Sequence, residues 1–171
     1  MKLLGDHWEL AFQIPPEKWE ELIAGAYKRA GWDTVTLTPR SGDHGRDVIA
    51  VKRALGTVRV IDSVKAYRPP HLVGYDDVRA LMGTLQGDGA SKGYLTTTSD
   101  FPPRLKDDPL IRPFIPSRLG LINGTELMSR LTELAGNRGS KFGVLSRDDQ
   151  NCHRDFAAPL ADVRSHAESD Q

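Results

Sequence analysis

The chain has 171 residues, 23 basic and 23 acidic, with a single cysteine. That balance excludes a polybasic, histone-like protein and a supercharged disordered chain, and one cysteine excludes an internal disulfide framework or a Cys-rich zinc finger. The length suits one domain with enough core to fold without staples, and no run approaches the roughly 20 apolar residues of a membrane span. The residues from Met1 to Phe12 carry Asp6, His7 and Glu9 and lack the apolar centre of a signal peptide. The expectation is a cytoplasmic protein without membrane association.

In chain order, the first strong element is a helix from about Pro16 to Ala30. Trp19, Leu22, Ile23, Ala26, Tyr27 and Ala30 recur on one face. Pro15 and Pro16 suit its start and Gly31 its end. Thr34 to Thr38 has strand character, and a polar, glycine-bearing turn from Arg40 to Arg46 follows. Strands are expected at 47–51 and 57–61, the latter running on to about Lys65, with a hairpin connection at 52–56. A helix is expected from about Asp76 to Gln86, with Val78, Leu81, Met82 and Leu85 on one face. A strand at 94–98, a short helix or loop after Pro102 and Pro103, and a strand at 119–122 come next. Asn123-Gly124 then turns into a helix over about 125–134. This order predicts an α/β fold with a mixed central sheet flanked by helices. Periodicity ends after Gly136. The organisation expected is a lead-in at 1–15, a domain at 16–136 and a polar, flexible tail at 137–171. Cys152, His153 and His166 in that tail do not form a zinc spacing.

Three residues stand out for chemistry. Glu20 lies at the border of the apolar helix face, where a carboxylate either reaches over the core edge to a strand or is an ordinary surface glutamate. Asp47 leads an apolar strand, an unfavourable place for aspartate. It is either a turn cap or a carboxylate presented at the sheet edge to a metal ion. Lys65 closes the second hairpin strand, and alternation puts Ile61, Ser63 and Lys65 on one face with Val60, Asp62 and Val64 on the other. It is either solvated or set beside a carboxylate-bound metal, where an ammonium can offset charge growing on a phosphate. Residues 40–68 hold seven Lys/Arg against three Asp. This is a phosphate-contacting stripe or a solvated hairpin. His44 in the glycine turn contacts phosphate or caps the loop, and Thr97 and Ser99 bond phosphates or serve a turn.

Five segments in order carry a family resemblance. They are Trp19–Ala24, Thr38–Ala50, Val73–Arg79, Gly93–Phe101 and Leu121–Leu127. The chain resembles the Mrr-like type IV restriction endonuclease catalytic domain, a branch of the PD-(D/E)xK nuclease superfamily, over about Pro16 to Leu134. The resemblance implies a restriction-endonuclease-like core and divalent-metal-dependent hydrolysis of DNA phosphodiesters, in restriction or defence against foreign DNA. It implies Glu20, Asp47 and Lys65 as the helix glutamate, the metal-binding aspartate and the catalytic lysine. Ser63 departs from the pattern, which has Glu or Gln there. Asp62 also departs, from a usually apolar place, and would need a bulge to substitute. On this reading Mg²⁺, with Mn²⁺ as a substitute, is held by Asp47, Glu20 and the Val64 carbonyl. Ser63 acts through a bound water. Arg40, His44, Arg46 and Arg68 contact double-stranded, and in this family sometimes modified, DNA. Cutting both strands favours a homodimer, and a separate partner is expected to supply target recognition. The alternative is a catalytically weakened nuclease fold kept as a DNA-binding or assembly module.

Overall fold

The computed structural model describes residues 8–39 and 46–136. Arg40 and His44, the glycine turn around them and the tail at 137–171 lie outside the described residues. A short 3-10 helix, Trp8–Gln13, leads into helix α1 (Pro16–Arg29). Proline at the first helical position costs nothing, because that N–H has no partner in the helix. Gly31, at φ +82°, turns the chain out of α1 as its position in the sequence suggests. The strands are β1 (Thr34–Leu37), β2 (Val48–Arg53), β3 (Thr57–Lys65), β4 (Lys92–Thr97) and β5 (Leu119–Ile122). Helix α2 (Tyr75–Asp88) joins β3 to β4, and α3 (Gly124–Gly136) follows β5. Two short 3-10 turns, Leu105–Asp107 and Arg112–Phe114, occupy the connection after Pro102 and Pro103.

The sheet order is β1-β2-β3-β4-β5. The first three strands are antiparallel, and β3, β4 and β5 are parallel. The sheet is therefore mixed, with β3 at its centre. Each face has its own core. On one, Ile61, Leu95, Leu119 and Leu121 pack against Val78, Leu81 and Leu85 of α2 and against Val73, Leu105 and Ile111. On the other, Val48, Val64 and Ile122 meet Trp19 and Ile23 of α1 and Leu127 and Leu131 of α3. Cover on both sides explains why the middle of β3 is buried continuously, from Val60 to Ser63, rather than at alternate residues.

The segment expected as a lead-in contributes to this second core. Ala11 is fully buried, and its carbonyl accepts the Trp19 indole N–H at 3.2 Å. At the other end of the domain, Asn123 Oδ1 accepts the Glu126 N–H at 3.0 Å, an N-cap that starts α3 directly after β5. Gly120 is a requirement of packing. A Cβ there would stand 2.4 Å from the Tyr94 ring, so only glycine lets that ring lie flat on β5.

Candidate active site

Asp47 meets the residue before Lys65 at one end of the β2–β3 pair. The register sets Val48 opposite Asp62, while the Asp47 N–H also reaches the Asp62 carbonyl at 3.2 Å. Two consecutive residues thus face one, the arrangement of a β-bulge, which re-aims a side chain at a strand end. The Asp47 carboxylate then takes the place a backbone carbonyl would hold in a continued ladder, and its Oδ2 accepts the Val64 N–H at 2.5 Å. The cap reading of Asp47 is therefore realised. It does not displace a ligand role, because an ionised carboxylate has about four lone-pair sites.

Lys65 follows Val64 and projects from the α2 side of the sheet, where its Nζ lies 3.8 Å from Asp77 Oδ1. Its backbone is pinned. The Lys65 carbonyl accepts the Thr97 hydroxyl at 2.7 Å and the Tyr67 N–H at 2.8 Å. The Thr98 hydroxyl bonds the Tyr67 carbonyl and the Ser99 hydroxyl the His71 carbonyl. The Thr/Ser-rich end of β4 is thus a row of donors that clamps the chain leaving Lys65. Thr97 and Ser99 serve that clamp, the turn role weighed for them in the sequence.

Glu20 is half-buried on α1, about 10 Å along the helix from Tyr27, which lies on the same side two turns later. Tyr27 contacts Asp62 in β3. A tight turn joins α1 to β1, and β1, β2 and β3 alternate in direction. Moving from Tyr27 back to Glu20 therefore runs with β3 from Asp62 toward Lys65. The topology carries the glutamate toward the strand end that holds Asp47.

The two departures in β3 have different fates. Ser63 is buried and shares the Lys65 face, and its short side chain brings no carboxylate. Asp62 does not replace one. It is buried on the opposite face, where its Oδ2 accepts the Tyr27 hydroxyl at 2.9 Å. The bulge that could have turned it inward falls on Asp47 instead. Burial raises the Asp62 carboxyl to about 7, against the weaker opposing pull of the Thr96 and Tyr27 hydroxyls. Its Oδ1 and the Thr96 hydroxyl, both buried, form no hydrogen bond, although Thr96 is near enough for its dipole to act on the carboxyl. Burial, reinforced by Asp62, holds the Tyr27 phenol well above its usual range.

Much of the basic stripe is committed to the fold. Arg59 and Arg46 converge on Asp88 at 2.5 and 2.9 Å, and Arg59 first, then Arg46, hold that carboxyl below its usual range. Lys52 bonds the Gly31 carbonyl and lies 3.6 Å from Asp33. The Arg53 guanidinium reaches the Thr34 hydroxyl at 3.2 Å. Arg46 is therefore already engaged with Asp88, whereas Arg68 is exposed just past the clamp on Lys65.

Among the described residues, no group of three or more His, Cys, Asp or Glu side chains is placed to hold a metal ion. The donor set at the strand end is nonetheless compatible with Mg²⁺, which binds hard oxygens through one or two carboxylates and keeps several waters. Within a strand, the N–H and C=O of one residue point the same way. The Val64 carbonyl therefore faces the side on which its amide meets Asp47. No helix among the described residues is long and apolar enough to cross a membrane.

A mixed five-stranded sheet, helices on both faces and an aspartate and lysine at one end of the central hairpin together describe a restriction-endonuclease fold. Solved structures of this fold are similar to it. The MspJI restriction endonuclease in complex with a 27-mer oligonucleotide matches with a TM-score of 0.54 at 17% identity, over 87% of this chain and 38% of that one. The DNA modification-dependent restriction endonuclease AspBHI matches with a TM-score of 0.51 at 20% identity, over 74% of this chain and 32% of that one. The chain belongs to the Mrr_cat restriction endonuclease family, whose model matches residues 12–131. It is 29% identical over 145 residues to the type IV methyl-directed restriction enzyme EcoKMrr of Escherichia coli (strain K12), covering 81% of this chain and 43% of that protein. The chain thus spans less than half the length of this curated relative.

The expected family and mixed-sheet nuclease core are borne out. Sequence reasoning missed Asp77 beside Lys65 and Tyr27 beside Asp62. Asp77 was visible as an acid opening a helix, but nothing local ties that helix to the end of β3.

Proposed function

We propose that the chain is a divalent-metal-dependent DNA endonuclease domain acting in restriction or defence against foreign DNA. The observation that carries this reading is that the Asp47 carboxylate sits on the Val64 main chain, one residue before Lys65, at the same strand end. Asp47 and Glu20 would offer carboxylate oxygens to Mg²⁺, or to Mn²⁺ in its place, and the Val64 carbonyl a neutral oxygen. Such an ion, when bound, activates water and offsets charge on the phosphate. Lys65 presents a positive group to the phosphate oxygens as their charge grows. Buried Ser63 contributes through a bound water and supports weaker metal affinity than a carboxylate would give. Arg68, with Arg40 and His44, would bind the DNA backbone, while Arg46 is held by Asp88. Methylated or otherwise modified double-stranded DNA is the target class suggested by the names of its relatives.

Supercoiled plasmid with Mg²⁺, Mn²⁺ or EDTA tests this. The wild type is expected to nick in either metal and not in EDTA. Asp47→Asn keeps an oxygen for the Val64 amide and is expected to lose more than the roughly 100-fold that removing an outer metal partner costs. Its melting temperature should stay within a few degrees of the wild type. A wild type inert in both metals, or an Asp47→Asn protein that cuts as well as wild type, overturns the reading. The absence of a carboxylate at Ser63 supports a second reading, a DNA-binding module with weakened cleavage, for which inert protein that still shifts DNA in a gel is the expected result.

A further inference from the structure

Lys65 has an acidic neighbour that the sequence pattern does not provide. Ser63 shares its face two residues earlier and offers only a hydroxyl. Asp77, from the first turn of α2, brings Oδ1 to 3.8 Å from the ammonium, and both side chains are about a quarter exposed, at 26% and 27%. We propose that Asp77 is the positioning residue for Lys65, fixing the direction of the ammonium at the strand end. The proposal rests on the nuclease reading for its purpose and on the structure for its geometry.

Both partners are held on rigid supports. Asp77 Oδ2 accepts the Gly74 N–H at 3.2 Å, so the carboxylate cannot swing freely. Val73 and Val78, on either side of this turn, are fully buried in the α2 core, and the Val73 N–H bonds the Asp100 carbonyl at 3.0 Å. The helix N-terminus favours a negative charge in its first turn. Lys65 is fixed from the other side by the Thr97 and Tyr67 bonds to its carbonyl. At 3.8 Å the pair is longer than a tight hydrogen bond of about 2.7–3.2 Å. The ammonium is therefore aimed by Asp77 while retaining donors for a phosphate oxygen. A long, flexible lysine without such a partner would spread over several rotamers.

Asp77→Asn tests the charge while leaving an oxygen for the Gly74 N–H, and Asp77→Glu tests rescue. Two readouts are needed. The first is the ε-methylene NMR signal of Lys65 in ¹³C-lysine-labelled protein, assigned with Lys65→Arg. An oriented side chain gives two distinct ε-proton shifts, and these are expected to merge in Asp77→Asn and separate again in Asp77→Glu. The second is plasmid nicking, where Asp77→Asn is expected to lower kcat by about 10-fold or more, with KM unchanged and the melting temperature within a few degrees of wild type, as expected for a misaligned group. Unchanged Lys65 shifts in Asp77→Asn overturn the proposal, as does an unchanged kcat in a protein that cuts DNA. If the wild type does not cut DNA at all, the nuclease reading fails and the NMR comparison alone decides whether Asp77 orients Lys65.

Discussion

Asp62 is held far from its usual chemistry by burial. The unfolded carboxyl titrates near 3.9, whereas the buried group in the folded chain is raised to about 7. Between those values the folded protein holds a proton that the unfolded chain has lost. Its contribution to stability therefore falls as pH rises from about 4 to about 7 and is level above that. Asp62→Asn removes the slope and keeps an acceptor for Tyr27. The variant is expected to be more stable than wild type at pH 8 by up to about 4 kcal/mol, with the difference shrinking toward pH 5. Urea unfolding at four pH values checks this, and parallel pH dependence in the two proteins would refute it. Ser63 poses the opposite case, a site lacking a charge. Ser63→Glu is expected to tighten Mn²⁺ binding by calorimetry if the new carboxylate reaches the strand end, and to lower stability because position 63 is buried.

At the level of elements, the site depends on how strands end rather than on how they run. The bulge at Asp47 and the clamp of Thr97, Thr98 and Ser99 both act where the ladder stops. Each puts a side-chain group where a backbone group would otherwise stand. The same device starts α3, through Asn123. Asn123→Ala is expected to cost about 1 kcal/mol, the usual worth of an N-cap, read as a lower urea midpoint with unchanged m-value. Gly120→Ala forces a methyl against the Tyr94 ring and is expected to cost about 1–3 kcal/mol by overpacking. Gly120 lies away from the end of β3 that carries Lys65, so nicking by the folded Gly120→Ala variant should stay near wild type.

At the scale of the whole molecule, the proposed nuclease site would serve one strand of a duplex. A second copy is the simplest source of the second cut. Plasmid is expected to accumulate as nicked circles at low protein concentration and to become linear as concentration rises, in step with a dimer in sedimentation velocity. Equal linear product per molecule at all concentrations would argue for a monomer working twice. Because Arg46, Lys52, Arg53 and Arg59 are tied into the fold, few of the stripe's charges remain for phosphate. The salt dependence of DNA binding is expected to be shallower than seven contacts would give, measurable by titration at several salt concentrations.

The sequence by itself determined the order of elements, the mixed sheet and the family, because hydrophobic period, prolines and glycines act over a few residues. It also determined which faces of β3 carry Ser63 and Asp62, since alternation is a property of the strand alone. Only the tertiary structure decided that Asp62 finds Tyr27, that Asp47 caps Val64 through a bulge, that Asp88 takes up Arg46 and Arg59, and that Asp77 stands beside Lys65. Each of these joins residues 12 to 42 positions apart. Such pairings are fixed by how helices dock across the sheet, and no local pattern in the chain encodes that docking.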